Sequence, residues 1–138
     1  MLVPKKVKFR KWQTKRKNLK KIKFDTRGTY LAFGSHGLKA ESFARVTPNQ
    51  LEAARKTISR SIKKVGKVWI RVFPDRPFTK KPAEVKMGKG KGAPEGYCAE
   101  VRPGRIVFEV DGLPDAEARD VLRKAGSKLP VKSRIVVR

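Results

Sequence analysis

The chain has 138 residues, and its 36 Lys and Arg against 12 Asp and Glu leave a formal net charge of +24 at pH 7. That length makes one domain with a modest core, and a hydrophobic content of 38% is compatible with folding. The charge would make an isolated compact domain repel itself, so a polyanionic partner is expected; nucleic acid is favoured over a membrane, since no apolar run is long enough to span a bilayer. The single cysteine, Cys98, cannot form an internal disulfide, which fits a reducing compartment. No apolar segment of the kind a secretory signal needs follows the basic N-terminus.

Residues 1–24 carry eleven Lys or Arg and no acid, interleaved with Val7, Phe9, Trp12, Leu19, Ile22 and Phe24. Such an arm cannot offset its ordering entropy by burial, so it is expected to be disordered by itself and to order against an anionic surface. Phe9 and Trp12 either stack on bases or anchor the arm to its own domain.

Thr29 to Phe33 and Leu38 to Arg45 read as two strands flanking a turn marked by Gly34 and Gly37. His36, in that turn, has no Cys, Asp or Glu at ligand spacing and reads as structural or surface rather than catalytic. Thr47, Pro48 and Gln50 then form a capping-box-like helix start, with Gly66 placed to end the helix. At 100° per residue Leu51, Ala54, Ile58, Ile62 and Val65 make one stripe, opposite Lys56, Arg60, Lys63 and Lys64. The basic side either is solvated or meets phosphate.

Lys67 to Phe73 alternates as a strand, Val68, Ile70 and Val72 against Trp69, Arg71 and Phe73. From Pro74 to Gly96 there is neither helical nor strand period, and a connection of that length is functional or disordered. It contains Lys86, Met87, Gly88, Lys89, Gly90, Lys91 and Gly92 in succession, which read as a phosphate-gripping loop. The glycines allow positive φ and close approach of backbone N–H groups to an anion. In an extended conformation Lys89 and Lys91 share one side roughly 6.6 Å apart, a spacing suited to neighbouring phosphates. The plain alternative is a flexible, solvated Gly/Lys loop. A nucleotide-hydrolysing loop is excluded, because it needs Ser or Thr after Gly-Lys and glycine stands there instead.

Tyr97 to Arg102 and Arg105 to Val110 read as strands joined by a Pro103-Gly104 turn, which sets the loop on a paired-strand base. A second helix begins at Leu113 to Glu117, with Ala118, Val121, Leu122 and Ala125 as its stripe and Gly126 at its end, followed by a strand from Ser133 to Val137. Asp115, Glu117 and Asp120 lie at a helix start, where capping explains them. His36, Cys98 and twelve scattered carboxylates assemble no acid–base pair, metal cluster or activated nucleophile, so no enzyme activity, cofactor or small-molecule substrate is expected. The organisation expected is a basic extension over 1–27 and a globular domain over 28–138, with residues 74–96 projecting.

Set side by side, these motifs resemble the bacterial large-subunit ribosomal protein L-sixteen family. The likeness runs from Met1-Leu2 and Pro4-Lys5 through Lys8 to Lys11, Phe33-Gly34, Gly37-Leu38 and Gln50 with Glu52 to Arg55. It is strongest from Gly66 to Pro77, from Lys81 to Glu84 and from Met87 to Gly92, and it resumes at Pro103 to Arg105 and Lys128 to Lys132. The resemblance implies an α+β fold, a two-layer α/β sandwich of the hammerhead type with a mixed or antiparallel sheet and two helices, carrying the basic arm and the long basic loop. It implies a structural constituent of the large subunit, cytoplasmic or organellar with its ribosome, without catalytic residues. Such a protein binds large-subunit ribosomal RNA, helps organise the aminoacyl-tRNA site and peptidyl-transferase region, contacts tRNA, acts in late assembly and neighbours other ribosomal proteins. By motif match the contact residues are Lys5, Lys8, Arg10, Lys11, Arg55, Arg71, Arg76, Lys81, Lys89 and Lys91.

Three departures stand out. Many family members have an arginine, hydroxylated in some, where this chain has Lys86, which does not favour that modification here. Asn18 to Phe24 is lysine-rich where the family is richer in glycine and arginine. The chain stops at Arg138, so contacts by a longer tail are not expected. Apart from the resemblance, a generic nucleic-acid-condensing protein would also explain the charge.

Overall fold

The computed structural model describes residues 2–13 and 18–138, arranged as two antiparallel sheets and two helices in an α+β fold. A four-stranded sheet has the order β3(Lys67–Ile70), β6(Ile106–Asp111), β1(His36–Ala40), β7(Ser133–Val137). A three-stranded sheet has the order β2(Ala44–Val46), β5(Ala93–Val101), β4(Arg76–Lys80). Helices α1(Pro48–Ile62) and α2(Asp115–Gly126) pack on each other, α1 also on β3 and α2 on β1 and β7.

Helix α1 starts as its residues dictate. Thr47 Oγ1 accepts from the Gln50 N–H at 3.3 Å while Gln50 Oε1 accepts from the Thr47 N–H at 2.9 Å, so two of the donors left over at a helix start are satisfied reciprocally. Leu51, Ala54, Ile58 and Ile62 are buried, each large side chain contributing about 1.5–3 kcal/mol by leaving water. They meet Leu38, Phe108 and Val110 of the sheet and Ala118, Val121, Leu122 and Ala125 of α2 in one core. The helix closes at Lys63, whose φ is +50°, three residues before Gly66. Val65, placed by period on the buried stripe, is therefore beyond the helix and 77% exposed.

The strand pair expected over residues 29–45 does not form. Residues 29–33 are irregular, and β1 begins at His36, inside the expected turn. The reason is competition for backbone groups: the N–H groups of Ala32, Phe33 and Gly34 all point at Glu109 Oε1, at 2.8, 3.2 and 3.4 Å, instead of at a neighbouring strand. Gly34 and Gly37 serve close approach, not a turn; a Cβ on Gly34 would lie 2.5 Å from the Val110 carbonyl oxygen, and one on Gly37 2.3 Å from Leu31 Cδ2. After Ala40 the ladder breaks and β2 pairs in the other sheet.

Two further expectations are corrected. The segment from Pro74 to Gly96 is not without strands: it holds β4 and the start of β5, and the irregular part shrinks to residues 74–75 and 81–92. Nor do β5 and β6 pair with each other. The chain crosses between sheets at Pro103-Gly104, where Gly104 takes φ +96° and its N–H reaches the Ala40 carbonyl at 2.7 Å. Strand β3 also ends at Ile70, although the Arg71 N–H still donates to the Val107 carbonyl at 2.8 Å. Helix α2 and strand β7 lie where their patterns put them.

Candidate nucleic-acid interface

The loop 81–92 rises from the antiparallel β4–β5 pair, so its root is a ladder and its tip is open. Lys86, Met87, Gly88, Lys89, Gly90 and Lys91 are exposed, Met87 to 92%, whereas Gly92 is partly covered. Gly88, Lys89 and Gly90 have successive φ values of +100°, +57° and +101°. This run of positive φ departs from the extended conformation that would have put Lys89 and Lys91 on one side. A Cβ on Gly88 or Gly90 would meet nothing within 4 Å, so backbone conformation, not crowding, calls for glycine there. Lys81 Nζ donates to the Gly88 carbonyl and ties the tip to its own root.

The arm lies against this loop. Lys91 Nζ donates to the Trp12 carbonyl, Arg76 Nη2 donates to the Gln13 carbonyl at 3.2 Å, and the Arg76 guanidinium sits 5.7 Å from the centre of the Trp12 ring. Trp12 thus anchors the arm to the domain, while Phe9 is 62% exposed with Lys8 Nζ 5.5 Å over its ring. Lys5, Lys8, Arg10 and Lys11 are exposed. The arm reading also takes in residues 14–17, which lie outside the described residues.

Arg55, Arg71 and Arg76 divide from the cations of the arm and loop tip. Arg76 is 9% exposed and its Nη1 lies 2.9 Å from Glu100 Oε1; Arg71 Nη1 lies 2.8 Å from Oε2 of the fully buried Glu109; Arg55 grips Glu52 through Nε, at 3.1 Å to each oxygen, and Nη2. Among the described residues, no salt bridge involves a cation of the arm or of the loop tip. Charge neutralised inside the domain is scaffolding, and charge left in water is what a polyanion can meet. Lys56 and Arg60 on α1 and Lys63 at its C-cap are exposed as a further group of cations.

Burial raises the affinity of Glu109 for a proton, but Arg71 and the N–H groups of Phe33, Ala32 and Gly34 outweigh it and hold the carboxyl below its ordinary range. Sequence reasoning overlooked this residue. Its signal was a single acid inside the apolar run Ile106 to Val110, which a buried strand tolerates only with a partner. His36 is structural as expected: its Nε2 is 2.8 Å from Asp115 Oδ1 and its Nδ1 is 2.9 Å from Ser35 Oγ, joining β1 to the start of α2. Burial pushes the Cys98 thiol up, which keeps it protonated and inert. Among the described residues, no three of His, Cys, Asp and Glu gather as they would around a metal ion.

Residues 4–136 match the family model described as ribosomal protein L16p/L10e. The chain is 55% identical over 138 residues to large ribosomal subunit protein uL16 of Leptospira biflexa, covering all of this chain and 98% of the relative. It is 55% identical over 139 residues to the protein of that name from Caulobacter vibrioides, and 52% over 138 residues to the one from Parvibaculum lavamentivorans, covering 94% and 96% of them.

Proposed function

The chain belongs to the ribosomal protein L16p/L10e family and is a protein of the large ribosomal subunit, and from that premise we propose that its arm and its loop 81–92 form one RNA-binding surface. The supporting observation is the latch between them, in which Lys91 and Arg76 hold the backbone of Trp12 and Gln13. It ties the end of a segment carrying the exposed Lys5, Lys8, Arg10 and Lys11 to the loop that carries the exposed Lys86, Lys89 and Lys91.

On this reading the lysines and Arg10 neutralise phosphates of large-subunit ribosomal RNA and release counterions, while the sandwich fixes their geometry. The shape of folded RNA, not base edges, sets where they dock. The arm and loop tip reach the aminoacyl-tRNA site and the peptidyl-transferase region, seat tRNA there, and order that RNA late in subunit assembly. Arg71, Arg76 and Arg55 act one step back: they set the scaffold from which the exposed cations project. The cations of α1 make a second phosphate contact. Residues 1–27 serve as the RNA-facing extension of a domain over 28–138. No residue is assigned a catalytic role.

The test is binding of the full chain to large-subunit RNA across a salt series. With about six to ten phosphates contacted, affinity falls by roughly 10³ to 10⁵ between about 50 and 200 mM salt. Equal affinity for duplex DNA, or a flat salt response, would replace this reading by generic nucleic-acid condensation.

A further inference from the structure

Between residues 28 and 35 the chain covers the face of the four-stranded sheet that the helices leave, and it presents two large rings to water, Tyr30 at 73% and Phe33 at 55% exposure. We propose that Phe33 is a stacking platform for an unpaired nucleobase of the large-subunit RNA; this rests on the RNA-binding reading above and adds a ring that belongs to neither the arm nor the loop.

The ring is held by two side chains. Trp69 lies under it with centroids 5.9 Å apart and planes 18° from parallel, and the Arg71 guanidinium carbon is 5.1 Å from its centroid. Trp69 and Arg71 are two residues apart along one extended segment, so both side chains leave the same side of the sheet. Trp69 pairs in register with Glu109, the carboxylate that holds Arg71, which puts all three on that side. Beside these contacts Phe33 keeps 55% of its surface in water.

The platform is also fixed in place before any ligand arrives. The backbone N–H groups of Ala32, Phe33 and Gly34 end on one buried carboxylate oxygen, and Gly34 is pressed against Val110. A preset ring loses little freedom when a base settles on it. Arg71 is already neutralised by Glu109, so the surface offers a π-face backed by a guanidinium rather than a free cation. Two exposed cations occupy nearby backbone positions: Lys67, two residues before Trp69 on β3, and Arg138, whose N–H donates to the Ser35 carbonyl at 2.9 Å. A ring with cations beside it suits a base with its phosphate, whereas a hydrophobic protein segment would need a continuous apolar patch.

Two measurements test this. Short-wave ultraviolet cross-linking of intact large subunits, followed by trypsin and mass spectrometry, should place a nucleotide adduct on Phe33 within the peptide of residues 28–39. With full-length protein and transcribed large-subunit RNA, Phe33→Leu should weaken binding about 5- to 150-fold, the range for removing one stacked base. Its salt slope should match the parent, because no phosphate partner is removed, and Phe33→Trp should restore affinity. Unchanged affinity of Phe33→Leu, a cross-link from Phe33 to another ribosomal protein, or RNA adducts on arm and loop peptides with none on residues 28–39 would overturn the platform alone. Absence of RNA adducts anywhere on the chain would overturn the RNA-binding reading beneath it.

Discussion

Arg71 Nη1 lies 2.8 Å from Glu109 Oε2, while the other oxygen of the same carboxylate takes three backbone N–H groups, so one buried acid fixes both an arginine and a loop. Removing one partner of a buried ion pair leaves the other uncompensated, at about 3–5 kcal/mol. Because a fifth of the Arg71 side chain still reaches water, Glu109→Ala should cost about 3 kcal/mol, read as a lower denaturant midpoint. A midpoint within about 0.5 kcal/mol of the parent would show that the pair contributes nothing net.

Stability should depend on acid in a defined direction. Glu109, Asp115, Asp120 and Glu52 all have lowered pKa values in the folded chain, against ordinary values of 4.5 for Glu and 3.8 for Asp. A depressed carboxylate contributes stability that is fully present above its unfolded pKa and is lost as pH falls through the folded one. The denaturant midpoint should therefore hold steady down to about pH 5 and drop below about pH 4.5. In Glu109→Gln the drop should be shallower, since the buried member of the set no longer titrates. An identical acid limb in both proteins would assign the loss to the surface pairs.

The latch on Trp12 makes a prediction about the arm that is separate from RNA. Trp12 is 43% exposed and contributes a carbonyl to Lys91 and a ring to Arg76. Trp12→Ala should speed tryptic cleavage within residues 5–11 several-fold at unchanged midpoint, since it removes the ring but leaves the core intact. Cleavage at the parental rate would mean that the ring contact with Arg76 does not order the arm.

Replacing Lys86 and Lys89 by alanine removes two exposed charges without touching a described ion pair. Affinity for large-subunit RNA should fall, and the salt slope should shrink by about one for each phosphate that no longer meets a lysine. The midpoint should stay within about 0.5 kcal/mol. A full parental slope would show that the loop tip meets no phosphate.

Two glycines should fail in different places. Gly34→Ala drives a methyl to 2.5 Å from the Val110 carbonyl oxygen, so the covering segment must lift from the sheet, at about 1–3 kcal/mol of global stability. Gly90→Ala meets no atom within 4 Å but must hold φ near +101°, a strain of about 1–2 kcal/mol confined to an exposed loop. Hence it should weaken RNA binding and leave melting alone. The reverse pattern would contradict both accounts.

The local elements followed from the sequence because their causes are local. Thr47, Pro48 and Gln50 lie within one helical turn, and the stripe of Ala118, Val121, Leu122 and Ala125 records its own period. The charge, too, needs no fold to announce a polyanionic partner, and the motifs around Lys67 to Pro77 and Met87 to Gly92 were enough to indicate the family. What tertiary structure decided were the relationships between distant residues. The Glu109 carboxylate draws the N–H groups of Ala32, Phe33 and Gly34, 75 to 77 positions away, out of the expected strand. Strands β5 and β6, adjacent in sequence, pair in different sheets, because Gly104 turns the chain from one layer to the other. Which cations are neutralised, Arg71 and Arg76, and which face water, Lys86 and Lys89, was equally hidden. A side chain's type sets what it can bond, but only the folded chain brings it a partner.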